Sequence, residues 1–255
     1  MASKLPLANK TALITGASKG IGAATALLLS SLGARVVINY SSDSGPADAL
    51  VQKIGSDKAI AIRANAGDVK DLERLVKETA AWSSNGKIDI LIPNAATSIM
   101  NTVEQTTEEN FDLTYNLNVK GPYFLVQKAL PYMEKGGHVV LLSTSLCASS
   151  TITPNYLLYT SSKGAIEQMT RILAKDLGTK GITVNAVAPG PTGTDLFYKG
   201  KSQELVDRIA SSNPFARLGE PDEIARAIAF LSGNGGSWVN GQILRVNGGM
   251  TVGPN

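Results

Sequence analysis

Two side chains in this sequence are spaced for acid–base chemistry. Tyr159 and Lys163 stand four apart in a helical pattern, so they share one face about a turn apart. Of the seven tyrosines, only Tyr159 has a lysine four positions later. A free phenol titrates near ~10, too high to exchange protons readily at neutral pH. An ammonium ~4 Å away, at an effective dielectric of ~20, favours phenolate by ~4 kcal/mol, or ~3 pKa units. That brings the phenol toward ~7, where a general acid/base is most effective. The same spacing also suits a plain surface contact with the phenol on the core edge. Upstream lies Ser143-Thr144-Ser145, at the end of an apolar run. Hydroxyls there can bond a substrate oxygen, and they can equally just terminate a strand. Strand alternation puts Ser143 and Ser145 on one face and Thr144 on the other.

A second constellation is the loop Thr15-Gly16-Ala17-Ser18-Lys19-Gly20-Ile21-Gly22, between the strand-like Ala12-Leu13-Ile14 and a helical run from Ala23. Glycines at such a turn let backbone N–H groups approach a phosphate, and the helix N-terminus adds partial positive charge. Gly16 suits the tight turn, Gly20 the close approach and Gly22 the packing of helix on strand. Two rival patterns fall away. Gly16-x-Ser18-x-Gly20 fits a hydrolase nucleophile elbow, but the sole histidine, His138, leads into a strand instead of ending a late one. A phosphate loop of the Gly-Lys-Ser/Thr kind would not end Gly-Ile-Gly.

These groups need a scaffold, and the chain supplies one. Apolar, β-branched runs at 11–15, 35–39, 58–63, 88–92, 138–143, 182–187 and 242–246 alternate with helical patterns at 21–32, 46–54, 69–84, 107–131, 158–178 and 221–231. That order predicts an α/β fold: a doubly wound, mostly parallel seven-stranded sheet, helices on both faces, in a single domain over 1–255. The stretch from Pro189 to about Lys201 shows no clear element, and a substrate lid is expected at about 190–213. A net charge of +3 without a basic run gives no case for nucleic acid. No apolar run is long enough for a membrane span, and the N-terminus lacks a signal-peptide core. One cysteine and one histidine argue against a disulfide or a Cys/His metal site. A cytoplasmic protein is expected.

With these residues in view, the chain resembles a short-chain dehydrogenase/reductase over essentially its whole length. Thr15-Gly16-x-x-x-Gly20-x-Gly22 matches that family's cofactor loop and Tyr159-x-x-x-Lys163 its catalytic motif. Asn94-Ala95, Asn118, and Pro189-Gly190 followed by Thr194 fall in family order. Ala64-Asn65-Ala66-Gly67, Ser162-Lys163-Gly164-Ala165-Ile166-Glu167 and Gly236-Ser237-Trp238-Val239 are similar to fungal naphthol- and versicolorin-type ketone reductases. The resemblance implies that Tyr159 donates a proton, that Lys163 tunes it and binds the nicotinamide ribose, and that Asn118 holds a water passing protons to Lys163. Counting back from Tyr159 makes Ser145 the catalytic hydroxyl, while counting forward from Gly136-Gly137 gives Thr144. Ser145 is preferred, with Ser143 and Thr144 left open. The family's Asn-Asn-Ala-Gly has become Pro93-Asn94-Ala95-Ala96, so some change in backbone approach is expected.

The second strand ends in Tyr40-Ser41-Ser42 without the acid that reads an NAD ribose. Ser41 and Ser42 can donate to a 2′-phosphate and Lys19 can add charge, so NADPH is expected, with Asp43 just beyond as the opposing feature. The expected cofactor contacts are Gly16, Ser18, Lys19, Gly20, Ile21, Gly22, Tyr40, Ser41, Ser42, Asn65, Ala66, Asn94, Ala95, Tyr159, Lys163, Pro189, Gly190, Thr192 and Thr194. Leu146, Ile152, Tyr156, Phe197 and Tyr198 suggest an apolar, partly aromatic pocket, better suited to a hydrophobic ketone than to a sugar or charged keto acid. The expected activity is reduction of such a ketone by a homotetramer. An NAD-dependent alcohol dehydrogenase and a non-catalytic nucleotide-binding protein are the alternatives.

Overall fold

Short β-branched runs and longer amphipathic helices alternate in the computed structural model, which describes residues 5–252. The strands are β1 (Thr11–Ile14), β2 (Arg35–Tyr40), β3 (Ala59–Arg63), β4 (Ile90–Ile92), β5 (His138–Leu142), β6 (Thr183–Pro189) and β7 (Ile243–Val246). The helices are α1 (Gly20–Ser31), α2 (Gly45–Ile54), α3 (Val69–Trp82), α4 (Glu108–Tyr115), α5 (Gly121–Ala129), α6 (Leu157–Gly178), α7 (Asp195–Tyr198), α8 (Gln203–Ser211) and α9 (Pro221–Leu231). All seven strands pair in the order β3-β2-β1-β4-β5-β6-β7, every pair parallel. The mostly parallel sheet read from the sequence is therefore wholly parallel.

Both faces of the sheet are covered, and side-chain alternation divides the core in two. Leu13, Val37, Leu91, Val139 and Leu141 pack on the side of α3, α5 and α6. Ile14, Val36, Ile38, Ile92 and Val140 pack on the side of α1 and α9. Neighbouring strand residues thus serve opposite layers, as the pleat requires. Strand order reverses between β1 and β4, which opens a crevice at the carboxyl ends of those strands.

The helix expected over 107–131 is broken. Between α4 and α5, residues Asn116–Lys120 form a π-turn, a device common near functional sites. Gly121 follows it, and the Ala66 carbonyl oxygen occupies the space a Cβ there would need. The Asn65-Ala66 loop therefore packs closely on the segment carrying Asn118. The stretch from Pro189 to about Lys201, expected to show no clear element, contains the single-turn α7, and α8 follows it within the 190–213 segment.

Candidate active site

At the carboxyl ends of the strands lies a cavity of about 830 Å³ whose wall includes Asn94, Thr144, Tyr159, Lys163 and Pro189–Thr192. Each wall residue is fixed by an element. The first turn of α6 presents Tyr159 and, one turn on, Lys163. Lys163 is 4% exposed; its Nζ donates to Leu142 O at 2.7 Å and lies 6.0 Å from the Tyr159 ring centroid. Burial outweighs the expected acidification of the phenol. Desolvation pushes Tyr159 up to about 12, and the hydroxyl of Thr144 lowers it only in part. Desolvation likewise brings Lys163 down to about 8. The reason is that the pair shares a buried wall, where both charged forms lose hydration.

This shift carries a sign for stability. The native protein releases the Lys163 proton near 8, whereas an unfolded lysine holds it to near ~10.4. Between those values the unfolded state binds more protons, so stability rises with pH. Thermal unfolding of wild type and Lys163→Met should therefore show wild type gaining on the variant from pH 8 to 10.5. A constant gap would place Lys163 in water.

The expected carbonyl-binding hydroxyl, Ser145, lines the cavity, but its O–H is already engaged by the protein. It is 1% exposed and its Oγ donates to Ala188 O at 2.8 Å. Ser143 is also spent, donating to Glu167 Oε1 at 3.0 Å. Thr144 is the hydroxyl beside the phenol. Its Oγ1 accepts from Leu146 N at 3.4 Å, capping the short 3₁₀ turn Ser145–Ala148, which leaves its O–H free to donate. The strand ends at Leu142, so the alternation that paired Ser143 with Ser145 no longer applies.

Asn118 is fully buried. Its Oδ1 accepts from Thr97 N at 2.9 Å, and its Nδ2 donates to Thr97 O at 2.9 Å and Ser162 Oγ at 3.0 Å. Its amide thus clamps the loop after β4 to α6, next to Lys163, and both amide hydrogens are taken by protein.

The glycine loop forms an anion cradle. Lys19 is the N-cap of α1 without a side-chain cap, as at α2, α5 and α6, and no acid stands in the first turn. Gly16 and Gly20 have φ of 59° and 55°, and a Cβ on Gly22 would meet Gly16 O at 2.6 Å. A phosphate fits such a terminus. Asn94 props the loop, donating to Thr15 O and Gly16 O at 2.9 and 3.0 Å, and Thr15 Oγ1 accepts from the backbone N–H groups of Asn94 and Ala95, both at 3.0 Å. Asn39, overlooked in the sequence, accepts from Gly16 N at 3.2 Å and donates to Ala64 O at 3.0 Å. Its signal was a buried amide in an apolar strand.

Ile21, Pro189, Gly190, Thr192 and Thr194 line the cavity, Ser18 lies half-buried in the loop, and Lys19 pairs at 3.8 Å with Asp195. Ala66 is buried under Gly121, and Asn65 N donates to Asp71. Tyr40, Ser41, Ser42 and Asn65 lie outside the cavity, along the ends of β2 and β3. There the sequence missed a cation: Arg63, paired in register with Tyr40, donates its Nε to Ser41 O at 3.1 Å. Asp43 accepts from Gly45 N at 3.0 Å and serves the turn into α2. Leu146, Ile152, Tyr156 and Phe197 line the cavity, whereas Tyr198 does not. His138 bonds Thr183 Oγ1 at 2.8 Å, and burial lowers its pKa.

Residues 16–251 match the family model described as enoyl-(acyl carrier protein) reductase. The chain belongs to the short-chain dehydrogenase/reductase family. A hydroxynaphthalene reductase-like protein, Arp2, of Metarhizium anisopliae is 39% identical over 260 residues, covering 96% of both chains. A chloroplastic NADPH-dependent aldehyde reductase-like protein of Arabidopsis thaliana is 38% identical over 262 residues, covering 96% of this chain and 95% of its own. A short chain dehydrogenase from Burkholderia cenocepacia, solved in complex with NADP, superposes with a TM-score of 0.89 at 34% identity, covering 96% of this chain and 99% of its own. This dehydrogenase/reductase has no helix, among its described residues, long and apolar enough to cross a membrane.

Proposed function

We propose that this short-chain oxidoreductase uses NADPH to reduce a hydrophobic, aromatic ketone to the secondary alcohol. One observation carries the reading: a protonated phenol, a free hydroxyl and a buried lysine face an apolar cavity beside the uncapped N-terminus of α1. When bound there, NADPH would supply the hydride for the carbonyl carbon. Tyr159 gives its proton to the carbonyl oxygen, and Thr144 donates a hydrogen bond to that oxygen as charge develops. Lys163 stabilises the phenolate left behind, and Asn118 fixes the position of α6 under both. Burial keeps the Tyr159 phenol protonated across the neutral range, the form in which it can donate a proton to a carbonyl oxygen. A non-catalytic nucleotide binder would have no use for that phenol.

Lys19, Ser41, Ser42 and Arg63 form the supporting case for a 2′-phosphate, with Asp43 engaged elsewhere. Arg63→Ala and Lys19→Ala should each raise the Kd for NADPH about threefold to thirtyfold, with little change for NADH, since a charge-assisted hydrogen bond is lost only with the phosphate. Quenching or enhancement of NADPH's own fluorescence reads this best. Trp238 is 98% exposed and Trp82 stacks under Arg35, so neither indole is in the cavity. Equal losses for both cofactors would reject the assignment. NADPH consumption against aromatic ketones, quinones, β-ketoesters and simple ketones tests the substrate class; turnover confined to small aliphatic ketones would contradict it.

A homotetramer working in the cytoplasm, with segment 190–213 as its substrate lid, completes the reading. Exposed Phe111, Leu113, Tyr123, Leu157 and Ile172 on α4, α5 and α6 support the assembly.

A further inference from the structure

The cavity has an electrostatic asymmetry that reduction of a purely apolar ketone does not use. Segment 190–213 brings two cations to its wall, Lys201 and Arg208. Among the described residues, no Asp or Glu lines the cavity. Neither cation has a carboxylate within 4 Å among the described residues, although most cations on α3 and α9 do. Lys201 Nζ donates to Phe197 O at 2.6 Å and lies 4.8 Å from the Phe197 ring centroid. It is therefore held by the lid itself, and burial lowers its pKa. An ammonium partly stripped of water and given no counter-ion carries an unmet cost that an anionic ligand removes. Leu196, Leu205 and Ile209, on the same segment, also line the cavity. The combination of an apolar wall and two unpaired cations suits an amphipathic anion better than a neutral hydrocarbon.

We propose that the ketone substrate carries, besides its carbonyl, an ionised acidic group, a carboxylate or an acidic phenol, and that Lys201 and Arg208 hold it. This rests on the ketone-reductase reading and revises its substrate, since a charged aromatic ketone replaces the neutral one that the apolar side chains alone suggest. The guanidinium of Arg208 offers a planar fork for a carboxylate, and Lys201 a point charge.

Equilibrium binding to the NADP⁺-loaded protein separates this from the reading beneath it. Calorimetry is run with 6-acetyl-2-naphthoate and its methyl ester, then with a nitrophenol ketone ionised at pH 7.5 and its methyl ether. The acid should bind about tenfold tighter than its ester, or more, the weight of a charge-assisted hydrogen bond. Lys201→Met and Arg208→Met should each reduce that preference about threefold, and Lys201→Arg should restore it. Added salt should shrink it as well. If only one matched pair shows the preference, that pair identifies carboxylate or phenolate as the group held. Three results would overturn the proposal: equal or tighter binding of both neutral partners, an unchanged ratio in both Met variants, or an equal loss of NADP⁺ affinity, which would assign the cations to the cofactor phosphates. NADPH oxidation with the ester is followed in parallel. Its failure would count against the ketone reading, while the ratio of binding constants reports on the anion site by itself.

Discussion

Tyr159→Phe should bind NADPH as wild type does and lose kcat by a factor of order 10²–10⁴, the usual weight of a positioned proton donor. The substitution removes one oxygen from a buried wall and leaves the ring, so the fold and the glycine cradle stay intact. The ammonium of Lys163 lies under the ring and is anchored to Leu142 O, so it does not depend on the phenol for its place. Saturating ketone and NADPH give kcat, and NADPH fluorescence gives the cofactor Kd. A loss confined to cofactor affinity would make Tyr159 a binding residue only, and undiminished turnover would remove it from the chemistry.

A second large effect separates two adjacent hydroxyls. Thr144→Ala should lower kcat by ~10²–10³, the cost of removing one donor aimed at a developing oxyanion. Thr144→Ser, which keeps the hydroxyl, should recover most of that loss. Ser145→Ala should act on stability instead. Its Oγ is buried on Ala188 O, so deletion removes that hydrogen bond and costs about 0.5–1.5 kcal/mol. Denaturant unfolding and steady-state kinetics on the same three variants distinguish the two roles. A kcat deficit in Ser145→Ala matching that of Thr144→Ala would show that both hydroxyls reach the substrate.

The sheet was readable because parallel strands buried on both faces carry continuous apolar runs, as in Val139-Val140-Leu141-Leu142. Glycine spacing marked the cradle for a similar reason, since backbone approach leaves few alternatives at positions 16, 20 and 22. What escaped depended on three-dimensional surroundings. The π-turn at Asn116–Lys120 has no sequence period of its own, and α7 and α8 are too short to show one. Thr144 and Ser145 are neighbours that two opposite counts select, and only their hydrogen-bond partners tell them apart. Arg63 joins the Ser41 loop only through strand pairing. The phenol's acidity was misjudged because a four-residue spacing gives proximity to a charge and says nothing of the water both groups lose.

The central claim is that hydride arrives at a carbonyl carbon, and the carbon that receives it can be labelled. Benzylideneacetone offers both a carbonyl and a conjugated double bond, so a single turnover with NADPH deuterated at the transferred position leaves the choice to the enzyme. Mass spectrometry and NMR of the product should find one deuterium on the carbinol carbon, with the double bond intact. Deuterium on the β-carbon of a saturated ketone would contradict the account and make this chain a reductase of activated double bonds.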